Sequence, residues 1–123
     1  MAFHRNSDES KRRGVTYHLV PSTVWNAQRE TTLYLPEAFE RDGFIHCTNG
    51  VDQLLKVANL FYTDDPREFV VLALDVASVA CEVRYDDSEH LFPHIYGPLN
   101  TNAVIGQTTV ERSVNGSFIA IAG

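Results

Sequence analysis

Phe69-Val70-Val71-Leu72-Ala73-Leu74-Asp75 is the stretch that decides the fold class. Six consecutive apolar residues without Gly or Pro read as a strand covered on both faces, since a strand with one wet face alternates apolar and polar. The run is also the longest apolar one in the chain, far short of the roughly 20 residues needed to cross a bilayer. On its C-terminal side, 81–85, 103–112 and 117–122 read as further strands, with Asn115-Gly116 as a hairpin turn between the last two. On its N-terminal side, the strand-like run 15–20 is stopped by Pro21, and Ser22 is placed to cap a short helix reaching Ala27. A second short helix is predicted over 36–42, begun by Pro36 and ended by Gly43. After a buried strand at 44–47, Asn49-Gly50-Val51-Asp52 resembles an acidic capping box. Val51, Leu54, Leu55, Ala58, Phe61 and Tyr62 then recur at helical spacing, which predicts the longest helix over about 50–62. Helices early and strands late give an α+β fold rather than alternating βαβ units.

The 123 residues suffice for one domain. Hydrophobic residues make up 44% and charged residues 21%, which excludes a disordered or fibrous chain. Residues 1–13 have the composition of a disordered arm, leaving 14–123 as the single folded domain. The arm carries Arg5, Lys11, Arg12 and Arg13 against Asp8 and Glu9, so the net charge of −6 becomes −8 over the remainder. Nucleic-acid binding draws its affinity from Lys and Arg meeting phosphates, so neither DNA nor RNA is expected as a partner. The polar N-terminus lacks the apolar stretch of a signal peptide, and no membrane association is expected. A cytoplasmic location follows, in which Cys47 and Cys81 remain reduced thiols.

The chemistry points to histidines. His18, His46 and His94 lie in apolar, strand-like surroundings, and a half-buried imidazole costs free energy unless its ring nitrogens find partners or water. Three such residues predict a shared, histidine-lined cleft. Alternation within strands puts Phe44 and His46 on one face with Ile45 and Cys47 on the other. Cys47 is thereby a small buried apolar residue and not a partner of its neighbour His46. The same alternation puts His94 and Tyr96 on one side, with Ile95 in the core. His90 and His94 have the four-residue spacing of a helical metal pair, but Pro93 between them disfavours a helix, and no metal is expected. Asp86, Asp87 and Glu89 cluster after the 81–85 strand, and one carboxylate beside a histidine pair would serve acid–base work or steady a cation. Tyr17 and Trp25 are candidate stacking surfaces, and Arg84 and Arg112 candidate partners for a pyrophosphate.

Tyr17-His18-Leu19-Val20, Gly43-Phe44-Ile45-His46-Cys47-Thr48 and Phe92-Pro93-His94-Ile95-Tyr96-Gly97-Pro98-Leu99, in that order, resemble the family called domain of unknown function 952. Trp25 and Asn115-Gly116-Ser117-Phe118 fit it as well, so the likeness runs from about residue 16 to 119. It implies an ADP-ribosylation-like split β-sandwich, with short N-terminal helices and one longer helix, whose cleft holds NAD as substrate in active relatives. That fold group often uses a first-strand histidine on a ribose hydroxyl, an aromatic ring on nicotinamide and a late-strand glutamate. The resemblance thus implies His18 on the ribose and Tyr96, Tyr17 or Trp25 in the ligand pocket, with Arg84 beside them. His46 and His94 would bind or move protons, and Asp86 stands where a glutamate is expected after Arg84-Tyr85. The function implied is an NAD- or ADP-ribose-derivative-using transferase or glycohydrolase. The alternatives are a non-catalytic nucleotide-binding module and a metal-assisted hydrolase.

Overall fold

The computed structural model describes residues 14–121; the arm expected over 1–13 lies outside the described residues. The central run becomes β4 (Phe69–Asp75), flanked by β1 (Val15–Pro21) and β8 (Val104–Arg112), with β9 (Phe118–Ile121) beyond. Every pairing in this four-stranded sheet is antiparallel. A smaller antiparallel sheet has β3 (Ile45–His46) and β5 (Val83–Tyr85) on either side of β6 (Pro93–Ile95). A two-residue ladder joins β2 (Leu33–Tyr34) to β7 (Leu99–Asn100). The helices are α1 (Ser22–Asn26), α2 (Phe39–Asp42) and α3 (Val51–Phe61), so the chain is a mixed α/β fold of mostly antiparallel strands with few helices. Among the described residues no helix is long and apolar enough to cross a membrane.

Burial on both faces of β4 has two sources. Val70, Leu72 and Leu74 pack with Ile45 and Ile95 of the smaller sheet, while Phe69 packs with Ala58 of α3 and Phe118 of β9. The central strand is therefore sandwiched between the small sheet and the long helix. The two sheets meet where Tyr17 and Thr48 exchange backbone hydrogen bonds of 3.0 and 2.8 Å.

The ends of the elements differ from the sequence reading. Ser22 is the first residue of α1 and makes no side-chain cap, because the cap position falls one residue earlier, on Pro21; its backbone N–H donates instead to the Glu68 carbonyl. Pro36 precedes α2 by a turn, whose 3.1 Å bond runs from the Phe39 N–H to the Pro36 carbonyl; Gly43 does end the helix, at a left-handed φ of 78°. No capping box forms at α3, where Gly50 occupies the cap position without a side chain to offer. Leu54 and Ala58 are buried on α3, but Phe61 is 72% exposed, since it falls beside the buried stripe rather than on it. Cys81 lies outside β5 and packs against Gly97, where any Cβ would overlap the Cys81 sulfur.

Candidate functional site

The small sheet positions the chemistry. Side chains alternate across each strand, so the row Ile45, Ile95 and Val83 turns inward and the row His46, His94 and Arg84 turns outward. The register sets His46 directly opposite His94, and Arg84 opposite His94 on the other side. Their imidazole centroids are 5.4 Å apart. Phe44, two residues before His46, lies flat on His94 at 4.0 Å and touches the rings of His46 at 4.7 Å and Tyr96 at 5.3 Å. The Arg84 guanidinium sits 4.5 Å above the Tyr96 ring and is paired with Glu82. Segments far apart in sequence are thus joined on one face.

Each histidine of the row is braced by a carboxylate. Asp42, at the end of α2, lies 2.9 Å from His46 Nε2. Its carboxyl is held well below the usual range, first by the Arg41 guanidinium and then by His46. Asp86 Oδ2 accepts the Tyr96 hydroxyl at 2.6 Å and lies 2.8 Å from His94 Nδ1. The Tyr96 bond, followed by His94, lowers the Asp86 carboxyl, and the same bond raises the Tyr96 phenol. An ionised carboxylate only accepts, so each imidazole directs its N–H to the aspartate. His46 Nδ1 and His94 Nε2 have no hydrogen-bond partner among the described residues. A neutral ring fixed in this way presents a lone pair suited to general base work.

His18 lies beneath this row and has a different part. It is 4% exposed, with Nδ1 2.7 Å from the His46 carbonyl and Nε2 2.7 Å from the Tyr34 hydroxyl. The carbonyl can only accept, so Nδ1 donates to it and Nε2 accepts from Tyr34. Burial, the leading cause, lowers the His18 pKa to about 4 and keeps the ring neutral. Both nitrogens are occupied, so the expected ribose contact has no atom to make it, and His18 braces the strand that carries His46. Trp25 is likewise displaced from a stacking role. It is 4% exposed, donates Nε1–H to Gln107 at 3.0 Å and packs edge-on against Tyr34. Arg112 is no pyrophosphate partner, since its guanidinium donates to the carbonyls of Tyr62, Thr63, Asp65, Arg67 and Gly116. Burial pushes the Cys47 thiol up to about 12, as befits an inert core residue.

A hollow of about 120 Å³ opens between β1, α3 and the loop after β2; its lining includes Tyr17, Tyr34, Phe44, His46, Leu54 and Arg67. It is smaller than a usual ligand pocket of about 300–1,000 Å³ and has room for a single planar ring. A wider depression of about 500 Å³ lies at the start of α3, lined by Tyr17, Asn49, Tyr85 and His90 among others. Tyr17 is half-buried and borders both. His90 faces this second depression against the Tyr85 ring at 4.9 Å. Asp87 is spent on the backbone N–H groups of Leu91 and Phe92. Among the described residues no three His, Cys, Asp or Glu side chains are grouped to hold a metal. Asp42 and Arg67 were not singled out in the sequence; Asp42 gave only the faint signal of a carboxylate four residues before His46.

A family model described as "Protein of unknown function (DUF952)" matches residues 19–107. No curated protein sequence matches the chain. The fold is similar to the crystal structure of protein CC0527 from Caulobacter crescentus, with a TM-score of 0.72 and 20% identity, covering 85% of this chain and 93% of that one. The solution NMR structure of CC0527 matches with a TM-score of 0.66 and 21% identity, over 83% of this chain and 89% of that one.

Proposed function

The chain belongs to the DUF952 family of proteins of unknown function, and from that premise we propose that it is an enzyme acting on NAD or an ADP-ribose derivative, of glycohydrolase or transferase type. The observation that carries the reading is the meeting of two carboxylate-braced imidazoles, His46 and His94, with Phe44, Tyr96 and Asp86 on one face of the small sheet, where Phe44 and His46 also line a ring-sized hollow. A four-stranded and a three-stranded antiparallel sheet that share one core and are joined by the Tyr17–Thr48 bridge support an ADP-ribosylation-like split sandwich.

In this reading the hollow takes the nicotinamide ring, with Phe44 and Tyr17 as its aromatic walls. Cleavage leaves the bonding pair of the nicotinamide–ribose bond with the departing nicotinamide, and positive charge grows on the sugar. Asp86, ionised and half-exposed, is the carboxylate of the row able to meet that charge. A water or acceptor oxygen then bonds to the sugar carbon, and its proton passes to the free nitrogen of His94 or His46. NAD is expected to raise the melting temperature, and nicotinamide to accumulate with time in a chromatographic assay. Folded protein that shows neither effect at millimolar NAD contradicts the proposal.

A second reading, a nucleotide-binding module without turnover, is favoured by the full engagement of His18 and by a shorter Asp86 at the position of the expected glutamate. It predicts the thermal shift with no nicotinamide.

A further inference from the structure

We infer that Arg67 is the anion-recognising residue of the hollow, and that Glu37 occupies its recognition edge until a ligand phosphate takes its place. The inference rests on the nucleotide reading above and assigns the phosphate-bearing part of the ligand. Residues 14–123 carry a net charge of −8, so an anion needs a cation at the site itself. Of the six Arg and Lys residues among the described residues, only Arg67 lines the hollow. Arg112 is saturated by carbonyls, Arg84 is paired with Glu82 above Tyr96, and Arg41 is bound to Asp42.

The contacts of Arg67 divide into a fixed set and an exchangeable set. Asp65, two residues away on the same loop, accepts the Arg67 backbone N–H at 3.0 Å and its Nε at 3.1 Å, and takes Nη2 at 2.8 Å. The carbonyls of Asp65 and Arg67 are held in turn by Arg112 at 2.6 and 2.8 Å. This side of the guanidinium is anchored to the scaffold. On the other side, Glu37 comes from the loop after β2 and meets Nη1 and Nη2 at 3.1 and 3.0 Å, as a two-pronged carboxylate pair. Glu37 is 58% exposed, and an exposed ion pair contributes little net stability. A phosphate offers paired oxygens to the same guanidinium edge that Glu37 now fills. Exchanging this exposed carboxylate for a ligand phosphate therefore needs only a side-chain rotation of Glu37, with Asp65 keeping the guanidinium aimed.

The test is calorimetric titration of inorganic pyrophosphate, ADP-ribose and nicotinamide into wild type, Arg67→Gln and Glu37→Gln, each first shown to be folded by its melting curve. Arg67→Gln is expected to weaken pyrophosphate and ADP-ribose by about 10–100-fold, the loss of a charge-assisted pair. Glu37→Gln, which removes the competing carboxylate, is expected to tighten both by roughly 2–5-fold. Nicotinamide, which carries no phosphate, binds all three proteins alike. Equal pyrophosphate affinity in wild type and Arg67→Gln overturns the inference, as does a Glu37→Gln protein that binds no tighter. Wild type that binds pyrophosphate through Arg67 but neither ADP-ribose nor nicotinamide keeps the anion site and removes the NAD reading. ADP-ribose binding that is indifferent to Arg67 does the reverse, and absence of all binding removes both.

Discussion

Replacing His94 with alanine is expected to slow nicotinamide release from NAD by about 100–10,000-fold, the usual range for losing a positioned acid–base group. The outward face of β6 carries His94, whereas its neighbour Ile95 supplies the core contact, so the variant should keep its fold and its melting temperature within a few degrees. Asp86→Asn sharpens the test. An amide in place of the carboxylate loses the negative charge and can turn an NH2 donor toward His94 Nδ1 or the Tyr96 hydroxyl, and leaves the imidazole free to adopt the wrong tautomer. Its rate should fall in the same direction, with binding of NAD largely retained. A folded His94→Ala protein with wild-type turnover would remove His94 from the chemistry.

The second large effect is on stability against pH. In the unfolded chain His18 titrates near its ordinary 6.5, and in the folded chain near 4 because burial disfavours the charged ring. The unfolded state therefore takes up the proton first as pH falls. The contribution of His18 is fully present above about 6.5 and is lost as pH drops toward about 4, amounting to about 3 kcal/mol over that window. Asp42, Asp65, Asp86 and Asp87 are all lowered by their hydrogen-bond donors. Their contributions are lost only at still lower pH, below the ordinary carboxylate value, so the His18 window precedes them. Urea unfolding at pH 7 and pH 4.5 should show the loss in wild type and a much flatter response in His18→Gln. Equal slopes in the two proteins would mean that His18 is not the buried neutral group described here.

Residues whose placement follows from alternation were legible in the sequence. Phe69 to Leu74 announced a strand covered on both faces, and a two-residue period in 44–46 and 94–96 put Phe44 and His46, and His94 and Tyr96, on the same sides. That His46 faces His94 depends on register between strands far apart in sequence, which no local pattern encodes. The partner of His18 was equally hidden. Tyr34 belongs to a two-residue strand paired with Leu99–Asn100, too short to leave a periodic signature, yet it converts the expected ribose ligand into an interior brace. Trp25 failed as a stacking residue for a similar reason, because its ring is buried against Tyr34 and held there by Gln107, 82 residues away. The caps expected at Ser22 and Asn49 each miss by one residue, since Pro21 and Gly50 hold the cap positions, and the Asn49 side chain is drawn instead to the distant His90 carbonyl.

The most direct test of the proposed site is an NMR titration that follows the imidazole resonances of His46 and His94 as NAD is added. Both are expected to move together and saturably, with the aromatic signals of Phe44 and Tyr96, while the resonances of the buried His18 stay nearly fixed. Unmoved His46 and His94 signals at saturating NAD, or shifts confined to His90 in the other depression, would contradict it.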